Sequence, residues 1–191
     1  MVNSSHMTSN KPVIIMLGPQ GSGKGTQGKM LAKKLDIPYL ETGQLMRGEM
    51  KKGGKRADFM SSIINSGGLM PDDFTNEFMN EKINEAKKTG FAMDGYPRRI
   101  RQAEFLDTIV KITHAILIEI PDEETIKRIM LRAEKENRID DTKEAIKKRL
   151  GWYHEEVEPL NKRYEKQGIL HKIDGIPSIE EVEKSVWEIF Q

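Results

Sequence analysis

Short apolar runs alternate with longer amphipathic segments along most of the chain. The apolar runs cover residues 13–17, 38–40, 91–93, 115–120 and 169–173. Short apolar runs of this kind are typical of buried parallel strands, and the segments between them show helical patterns. The pattern predicts an α/β fold with a parallel five-stranded sheet flanked by helices, whose ligands bind at the carboxyl ends of the strands.

Several helix starts are marked by residues that satisfy the first backbone N–H groups of a helix. Ser178 and Glu181 have the spacing of a capping box. Acidic residues follow Pro71 and Pro121 and favour the first turn of two further helices. Apolar residues between positions 146 and 164 recur at spacings of three and four, so we predict one long amphipathic helix there.

The stretch after the second predicted strand differs in composition from the rest of the chain. Residues 41–70 are rich in Lys, Gly and Ser and contain glycine pairs at 53–54 and 67–68. A loose surface loop would explain this composition. The apolar residues at positions 45, 46, 59, 60, 63 and 64 favour a small folded helical lobe that hinges at the glycines.

A glycine-rich stretch lies between the first strand and the first helix. It is Gly18-Pro19-Gln20-Gly21-Ser22-Gly23-Lys24-Gly25-Thr26. Its glycines let successive backbone N–H groups turn inward around an anion, and the helix adds the positive end of its dipole. Lys24 adds a charge that can reach the β- and γ-phosphate oxygens of a nucleotide. A strand, such a turn and a helix in this order predict a nucleotide-phosphate site.

The residue after Lys24 departs from the commonest form of this loop. That form has Ser or Thr there to bind Mg²⁺, whereas this chain has Gly25 and places the hydroxyl of Thr26 one residue later. We therefore expect a carboxylate elsewhere to hold the water shell of the metal.

A second motif follows the third strand. It is Asp94-Gly95-Tyr96-Pro97-Arg98, with Gln102 four residues further on. Asp94 ends a strand beside the glycine-rich loop, where a carboxylate can order the waters of Mg²⁺. The turn directs Arg98 across the strand ends, where its planar guanidinium can bind two phosphate oxygens.

Together these two motifs resemble those of the adenylate kinase family of nucleoside monophosphate kinases, and the resemblance runs from about residue 12 to residue 190. It implies a P-loop NTPase fold, with a single domain over residues 11–191. Within that domain it implies an NMP-binding lobe at about 41–70 and a short lid at about 132–140. It also implies reversible, Mg-dependent phosphoryl transfer from ATP to AMP, giving two ADP.

The resemblance further implies roles for individual residues. The ATP-binding set is Gly21, Ser22, Gly23, Lys24, Gly25, Thr26, Arg128, Arg132, Gly175 and Ile176. The AMP-binding set is Thr42, Gly43, Arg47, Leu69, Met70, Gly95, Arg98, Gln102, Arg138 and Arg149. The catalytic set is Lys24, Arg98, Arg132, Arg138 and Arg149, and Asp94 is expected to hold Mg²⁺ through water.

Three features depart from the family pattern. Gln44 stands where the family usually has Asp, and Pro19-Gln20 replaces the usual small residue followed by Pro. The lid is short, with only residues 133–137 between Arg132 and Arg138. Relatives with a long lid insert a small domain there, sometimes with a cysteine-bound zinc. We expect no zinc here, because the chain has no cysteine.

Composition restricts the other function classes. With 31 Lys and Arg against 30 Asp and Glu, the net charge of +1 gives no broad basic surface for nucleic acid. No apolar run approaches the roughly 20 residues that span a membrane. Residues 4–7 resemble an expression-vector junction, so we expect residues 1–10 to be tag-like and disordered. We expect a cytoplasmic protein, and the resemblance implies a monomer whose partners are the small-molecule nucleotides ATP, AMP and ADP.

Two other functions compete with an adenylate kinase. A UMP/CMP kinase has the same scaffold and the same short lid, although Thr42 and Gln102 favour adenine as the acceptor base. A nucleotide-dependent switch would keep the phosphate loop, but the sequence has no Asn-Lys-x-Asp guanine-binding motif and no convincing switch segment. An inactive relative is disfavoured by the presence of Lys24, Arg98 and Arg149.

Overall fold

The computed structural model describes residues 11–65, 70–136 and 143–191. The described residues form the strands β1 (Val13–Leu17), β2 (Tyr39–Glu41), β3 (Phe91–Asp94), β4 (His114–Glu119) and β5 (Leu170–Asp174). These strands form one sheet in the order β2-β3-β1-β4-β5, and every neighbouring pair is parallel. The predicted α/β fold and its parallel five-stranded sheet are confirmed, and each strand boundary lies within one residue of its predicted position.

Helices connect the strands and cover both faces of the sheet. They are α1 (Lys24–Leu35), α2 (Thr42–Met50), α3 (Lys55–Asn65), α4 (Asp72–Ala86), α5 (Ile100–Asp107), α6 (Asp122–Glu136), α7 (Lys143–Trp152), α8 (Glu158–Lys166) and α9 (Ile179–Glu188). The capping box of α9 is confirmed, because the Ser178 hydroxyl accepts from the Glu181 N–H and the Glu181 carboxylate accepts from the Ser178 N–H. The predicted helix starts after Pro71 and Pro121 are also confirmed.

The side chains of the central strand β1 alternate between two apolar cores. Ile14 and Met16 point to the face that α1 and α9 cover, where they meet Leu31, Ala32, Val182 and Val186. Ile15 and Leu17 point to the other face, which is covered by buried residues of α4, α5 and α8. Because both faces of β1 are buried, the end of this strand is held firmly, and so is the loop that follows it.

The long amphipathic helix predicted over residues 146–164 is interrupted. A π-helical turn, Tyr153–Val157, lies between α7 and α8. Pro159 stands at the start of α8 and has no backbone N–H to donate to a carbonyl in the preceding turn. A wider turn at this point accommodates the missing donor. The periodicity of the apolar residues could not reveal this extra residue in the turn.

The stretch predicted to form a helical lobe contains α2 and α3, and its residues Met46, Ala57 and Met60 are buried. Residues 1–10, 66–69 and 137–142 lie outside the described residues, so the division into lobe and lid stays a prediction. Within the ranges that the structure describes, no helix combines the length and the apolar character needed to cross a membrane.

Helix α1 approaches the sheet closely at Gly28, and this contact can be tested by adding a methyl group. A Cβ at Gly28 would lie 2.5 Å from Cε2 of Tyr39 and 2.9 Å from Cγ of Met16. We expect Gly28→Ala to lower the free energy of unfolding by about 1–3 kcal/mol through overpacking, measured by urea denaturation. The matched control is Gly48→Ala in α2, where a Cβ meets no atom within 4 Å. The control should be neutral or stabilising by up to about 1 kcal/mol, and equal losses in both variants would contradict this account.

His154 in the π-helical turn pairs with the first residue of α6 and makes the stability depend on pH. Its Nε2 lies 3.1 Å from Asp122 Oδ2, and its Nδ1 lies 3.6 Å from Glu158 Oε2. The hydrogen bond with Asp122 is the main cause of a raised His154 pKa. A raised pKa stabilises the folded state below the unfolded pKa of about 6.5, and this stabilisation is lost as the pH rises through the folded pKa.

His154→Asn should therefore destabilise the protein at about pH 5.5 and leave it nearly unchanged at about pH 8.5. Because the pair is partly exposed, the loss at the lower pH should stay below about 1 kcal/mol. Urea denaturation at both pH values measures the difference, and Asp122→Asn should show the same pH dependence. An equal loss at the two pH values would contradict the proposed charge pairing.

Candidate active site

The glycine-rich loop joins β1 to α1 at the carboxyl edge of the sheet. Gly18, Gly21 and Gly23 have φ angles of 133°, 87° and 93°, a region that L side chains rarely adopt. Gly18 is also restricted by space, since a Cβ there would lie 2.5 Å from the carbonyl oxygen of Ile118 in β4. The Ser22 N–H donates to the Pro19 carbonyl at 3.2 Å and closes the turn. The loop is therefore a tight turn that requires glycine at these positions.

The charge at the start of α1 favours an anion. Helices α4, α6 and α9 each carry acidic residues in their first turn, whereas α1, α2 and α5 carry none. These last three begin after the glycine-rich loop, at Thr42 and just beyond Arg98. The positive ends of their dipoles are therefore not neutralised by carboxylates of their own first turns.

Lys24 is the first residue of α1, and its side chain turns back over the loop. Its Nζ donates to the Pro19 carbonyl at 3.2 Å and lies 4.0 Å from Asp94 Oδ1. The crown of the loop, where Pro19 and Gln20 depart from the family pattern, thus provides a backbone acceptor for the lysine. Lys24 is positioned between the loop and the end of β3.

Asp94 lies where β3 meets the loop, and its two carboxylate oxygens have different neighbours. Oδ1 faces Lys24, while Oδ2 accepts a hydrogen bond of 3.3 Å from the Tyr39 hydroxyl. A Cβ at Gly25 would lie 3.5 Å from Asp94 Oδ2, so the carboxylate is next to the loop position that lacks a hydroxyl. This arrangement fits Mg²⁺, which prefers oxygen ligands and is usually bound by one or two carboxylates together with substrate phosphates and water.

The turn after Asp94 is held by buried hydrogen bonds. The Tyr96 hydroxyl is fully buried and donates to Asn76 Oδ1 at 2.8 Å. Burial, with a smaller effect of the Asp72 charge, raises the pKa of Tyr96 above its ordinary value, so the hydroxyl stays protonated. Arg98 leaves this turn as an exposed side chain, and its Nε donates to the Gly95 carbonyl at 3.0 Å.

Gln102 is nearly buried, and both ends of its amide are bound within the protein. Its Oε1 accepts from the Arg98 N–H at 2.8 Å, and its Nε2 donates to Asp72 Oδ1 at 2.8 Å. Asp72 also accepts from Arg99 Nη1 at 3.3 Å. Reading the edge of a base with this amide, as the sequence predicts, would require it to exchange at least one of these bonds.

Thr42, Gly43 and Arg47 stand at the start of α2. The buried Thr42 hydroxyl donates to the Asp94 carbonyl at 3.0 Å, which joins the helix start to β3. Arg47 is exposed, and its Nη2 lies 3.5 Å from Glu41 Oε1. Glu41 also pairs with Lys29 at 2.8 Å, so one carboxylate lies between two cations.

Arg128 contacts the turn after β5, which contains Gly175 and Ile176, two other residues of the predicted ATP-binding set. Its Nη1 donates to the Gly175 carbonyl at 3.0 Å, and its Nε donates to Glu124 Oε1 at 2.8 Å. This hydrogen bond is the main cause of a lowered Glu124 pKa. Ile176 beside it is half exposed, at 48%.

The structure leaves part of the predicted site untested. Leu69 and Arg138 lie outside the described residues, and so do the side chains of Arg132 and Arg149. Met70 is described and is partly buried against the core. The remaining predicted residues are on the loop, the start of α2, the turn after β3 and the contact between α6 and β5.

Sequence reasoning missed several residues that contact the site. Glu124 could have been found, because its spacing of four from Arg128 predicts a pair on one helix face. Tyr39 and Asp72 could not, because their partners lie 55 and 30 positions away and are brought near only by the packing of the sheet and helices.

A glycine-rich anion loop between a central parallel strand and a helix, with a lysine and a carboxylate beside it, defines a nucleotide-binding protein of the P-loop class. Residues 16–169 match the family model described as Adenylate kinase. The chain belongs to the adenylate kinase family. It is a nucleoside monophosphate kinase, and therefore a phosphotransferase.

Proteins named adenylate kinase align with most of the chain. Adenylate kinase of Thermobifida fusca is 39% identical over 175 residues, which are 88% of this chain and 93% of the relative. Adenylate kinase of Thermus thermophilus is 38% identical over 174 residues, covering 88% and 91%. Adenylate kinase of Leptospira biflexa is 37% identical over 179 residues, covering 91% and 96%.

The Thr42 hydroxyl provides a test of how α2 is attached to the site. Thr42→Val keeps the shape of the side chain and removes its bond to the Asp94 carbonyl, so we expect a loss of about 1 kcal/mol in unfolding free energy. Because the sequence predicts that Arg47 of α2 binds the nucleotide acceptor, we expect the KM for the acceptor to rise and the KM for the donor to stay unchanged. Ser62→Ala is the control, since it removes an exposed hydroxyl within α3. An equal rise in both KM values would contradict this division of the site.

Proposed function

We propose that the protein catalyses reversible Mg-dependent phosphoryl transfer from ATP to AMP, giving two ADP. The observation that carries this proposal is the position of Asp94 between two sets of residues. Lys24 and the glycine-rich loop lie on one side, and the Thr42 hydroxyl binds the Asp94 backbone from the other. If the phosphates of two nucleotides meet above Asp94, each nucleotide would be bound by one of these two sets of residues.

The ATP side comprises the loop from Gly21 to Thr26 together with Arg128, Gly175 and Ile176. In this assignment the loop N–H groups and Lys24 bind the phosphates, and the half-exposed Ile176 offers an apolar surface to the base. The Arg128 bond to Gly175 supports the assignment, because it brings the two base-contacting elements within 3.0 Å of each other.

The AMP side comprises Thr42, Gly43, Arg47, Leu69, Met70, Gly95, Arg98 and Gln102. Arg47 and Arg98 are exposed at the edge of the sheet, where each can bind phosphate oxygens once their present partners are exchanged. Gln102 would read the adenine edge through the amide that now binds Asp72 and the Arg98 N–H.

This reaction needs no general base, because the acceptor is already an anionic phosphate oxygen. The protein positions the two nucleotides and neutralises their charge. The described histidines fit this assignment, since His114 packs against His171 and Phe190 and His154 pairs with Asp122. When bound, Mg²⁺ would neutralise phosphate charge, and Asp94 would hold it through water.

A short lid at about 132–140 would complete the site. In this proposal Arg132, Arg138 and Arg149 close over the phosphates, exclude water and prevent wasteful hydrolysis of ATP. The last turn of α6 lies in this segment, and α7 begins shortly after it. Loss of one of these arginines should cost about 3 kcal/mol of transition-state stabilisation. We further propose that the enzyme acts as a cytoplasmic monomer, as the family resemblance implies.

The acceptor base is tested by offering AMP, CMP, UMP and GMP separately with Mg·ATP and measuring ADP. We expect AMP to give the highest kcat/KM, because Thr42 and Gln102 are the residues that favour adenine. Turnover of CMP or UMP well above AMP would identify a pyrimidine nucleotide kinase instead. Binding of ATP without transfer to any acceptor would indicate a nucleotide-binding module.

The role of Lys24 gives a second test. Lys24→Gln removes the charge but keeps a side chain that can bind the Pro19 carbonyl, so we expect kcat to fall by about 10²-fold or more. The melting temperature should change little, since the glutamine can keep the bond to the Pro19 carbonyl. Lys33→Gln, an exposed lysine in the last turn of α1, is the control and should keep its activity. A Lys24 variant with nearly full activity would contradict a role for this loop in phosphoryl transfer.

A further inference from the structure

Tyr39 on β2 contacts the carboxylate to which the proposed function assigns Mg²⁺. We propose that Tyr39 is a positioning residue: its hydroxyl holds Asp94 Oδ2 and so leaves Oδ1 directed toward Lys24 and the nucleotide phosphates. This inference rests on the proposed function for the identity of the ligands, although the contact itself belongs to the protein.

Sheet register brings the two residues together. In the parallel pair of β2 and β3, Tyr39 is opposite Ala92 and Glu41 is opposite Asp94. Tyr39 therefore lies two residues before the level of Asp94, and its long side chain reaches along the sheet to the end of β3. Its hydroxyl donates to Asp94 Oδ2 at 3.3 Å.

The ring of Tyr39 is fixed independently of its hydroxyl. A Cβ at Gly28 would lie 2.5 Å from Cε2 and 3.1 Å from Cζ of this ring, so the ring fills the space that the glycine leaves in α1. Lys29 Nζ lies 5.8 Å from the ring centroid on the same helix. Removing the hydroxyl alone should therefore leave the ring in place.

The Tyr39 hydroxyl is the donor in this pair, because a carboxylate can only accept a hydrogen bond. The bond thus fixes one carboxylate oxygen and leaves the lone pairs of the other for water or a cation.

The contact lies next to the position at which this loop lacks a hydroxyl. A Cβ at Gly25 would lie 3.5 Å from Asp94 Oδ2 and 3.8 Å from the Tyr39 oxygen. The commonest form of the loop carries a Ser or Thr hydroxyl at that position for Mg²⁺. Here the bonded pair of Tyr39 and Asp94 Oδ2 borders the same space, so the carboxylate is positioned by a hydroxyl from a strand rather than from the loop.

Tyr39→Phe tests the proposal, and Tyr164→Phe is the matched control. The Tyr164 hydroxyl is fully buried and has no hydrogen-bond partner among the described residues, so its removal breaks no bond. Calorimetry should measure ATP binding to each protein with Mg²⁺ and with EDTA, and AMP binding separately. Initial rates over a range of Mg²⁺ concentrations and the melting temperature complete the comparison.

We expect Tyr39→Phe to weaken ATP binding about tenfold with Mg²⁺ and to leave ATP binding in EDTA and AMP binding unchanged. The Mg²⁺ concentration for half-maximal rate should rise by a similar factor, and Tyr164→Phe should match the wild type in every measurement. Wild-type Mg²⁺ dependence in Tyr39→Phe would overturn the proposal. So would equal losses of ATP binding with Mg²⁺ and with EDTA, because they would indicate a merely structural role.

The experiment distinguishes failure of the proposed reaction from failure of the proposed role of Tyr39. A wild-type protein that transfers no phosphoryl group to AMP would contradict the proposed reaction, while the two ATP-binding measurements would still decide the role of Tyr39.

Discussion

The parallel pairing of β1 with β3 is the constraint on which the site depends. Met16 in β1 is opposite Asp94 in β3, so the glycine-rich loop and the turn after Asp94 leave the sheet at the same level. β1 is buried on both faces, which prevents the loop from sliding relative to its neighbour. A shift of one residue in this register would turn the side chains of β1 to the opposite core and separate Lys24 from Asp94.

The charged side chains near the carboxyl ends of β1 and β3 are arranged to bind the proposed phosphates. The helices that start at the proposed phosphate positions lack acidic residues in their first turn, and the cations nearby have acceptors on the protein. Lys24 binds a backbone carbonyl, Arg47 contacts Glu41, and Arg98 binds the Gly95 carbonyl. These contacts keep the cations near the sheet edge, and each acceptor can be exchanged for a phosphate oxygen.

The sequence allowed the sheet, the loop and most helix starts to be predicted, because each depends on neighbours close in sequence. The glycines of the loop have their conformation for local steric reasons, and Ser178 and Glu181 are only three residues apart. Other contacts depended on the assembled fold. Tyr39 meets Asp94 through the register of two strands, and Gln102 meets Asp72 through the packing of α4 against α5. No local pattern in the chain marks these pairs, so sequence reasoning assigned Gln102 only to a base and assigned Tyr39 no role.

The bond between Arg128 and Gly175 attaches the first half of α6 to the end of β5. Its first two turns are tied to the end of β5 by this bond and to the π-helical turn by the Asp122 and His154 pair. The second half of the helix, beyond Arg128, leads toward the proposed lid. If the lid closes as proposed, these contacts can keep the first two turns of α6 in place while the lid moves. The proposed ATP-base surface at Gly175 and Ile176 would then keep its position, and ATP could bind there before the lid closes.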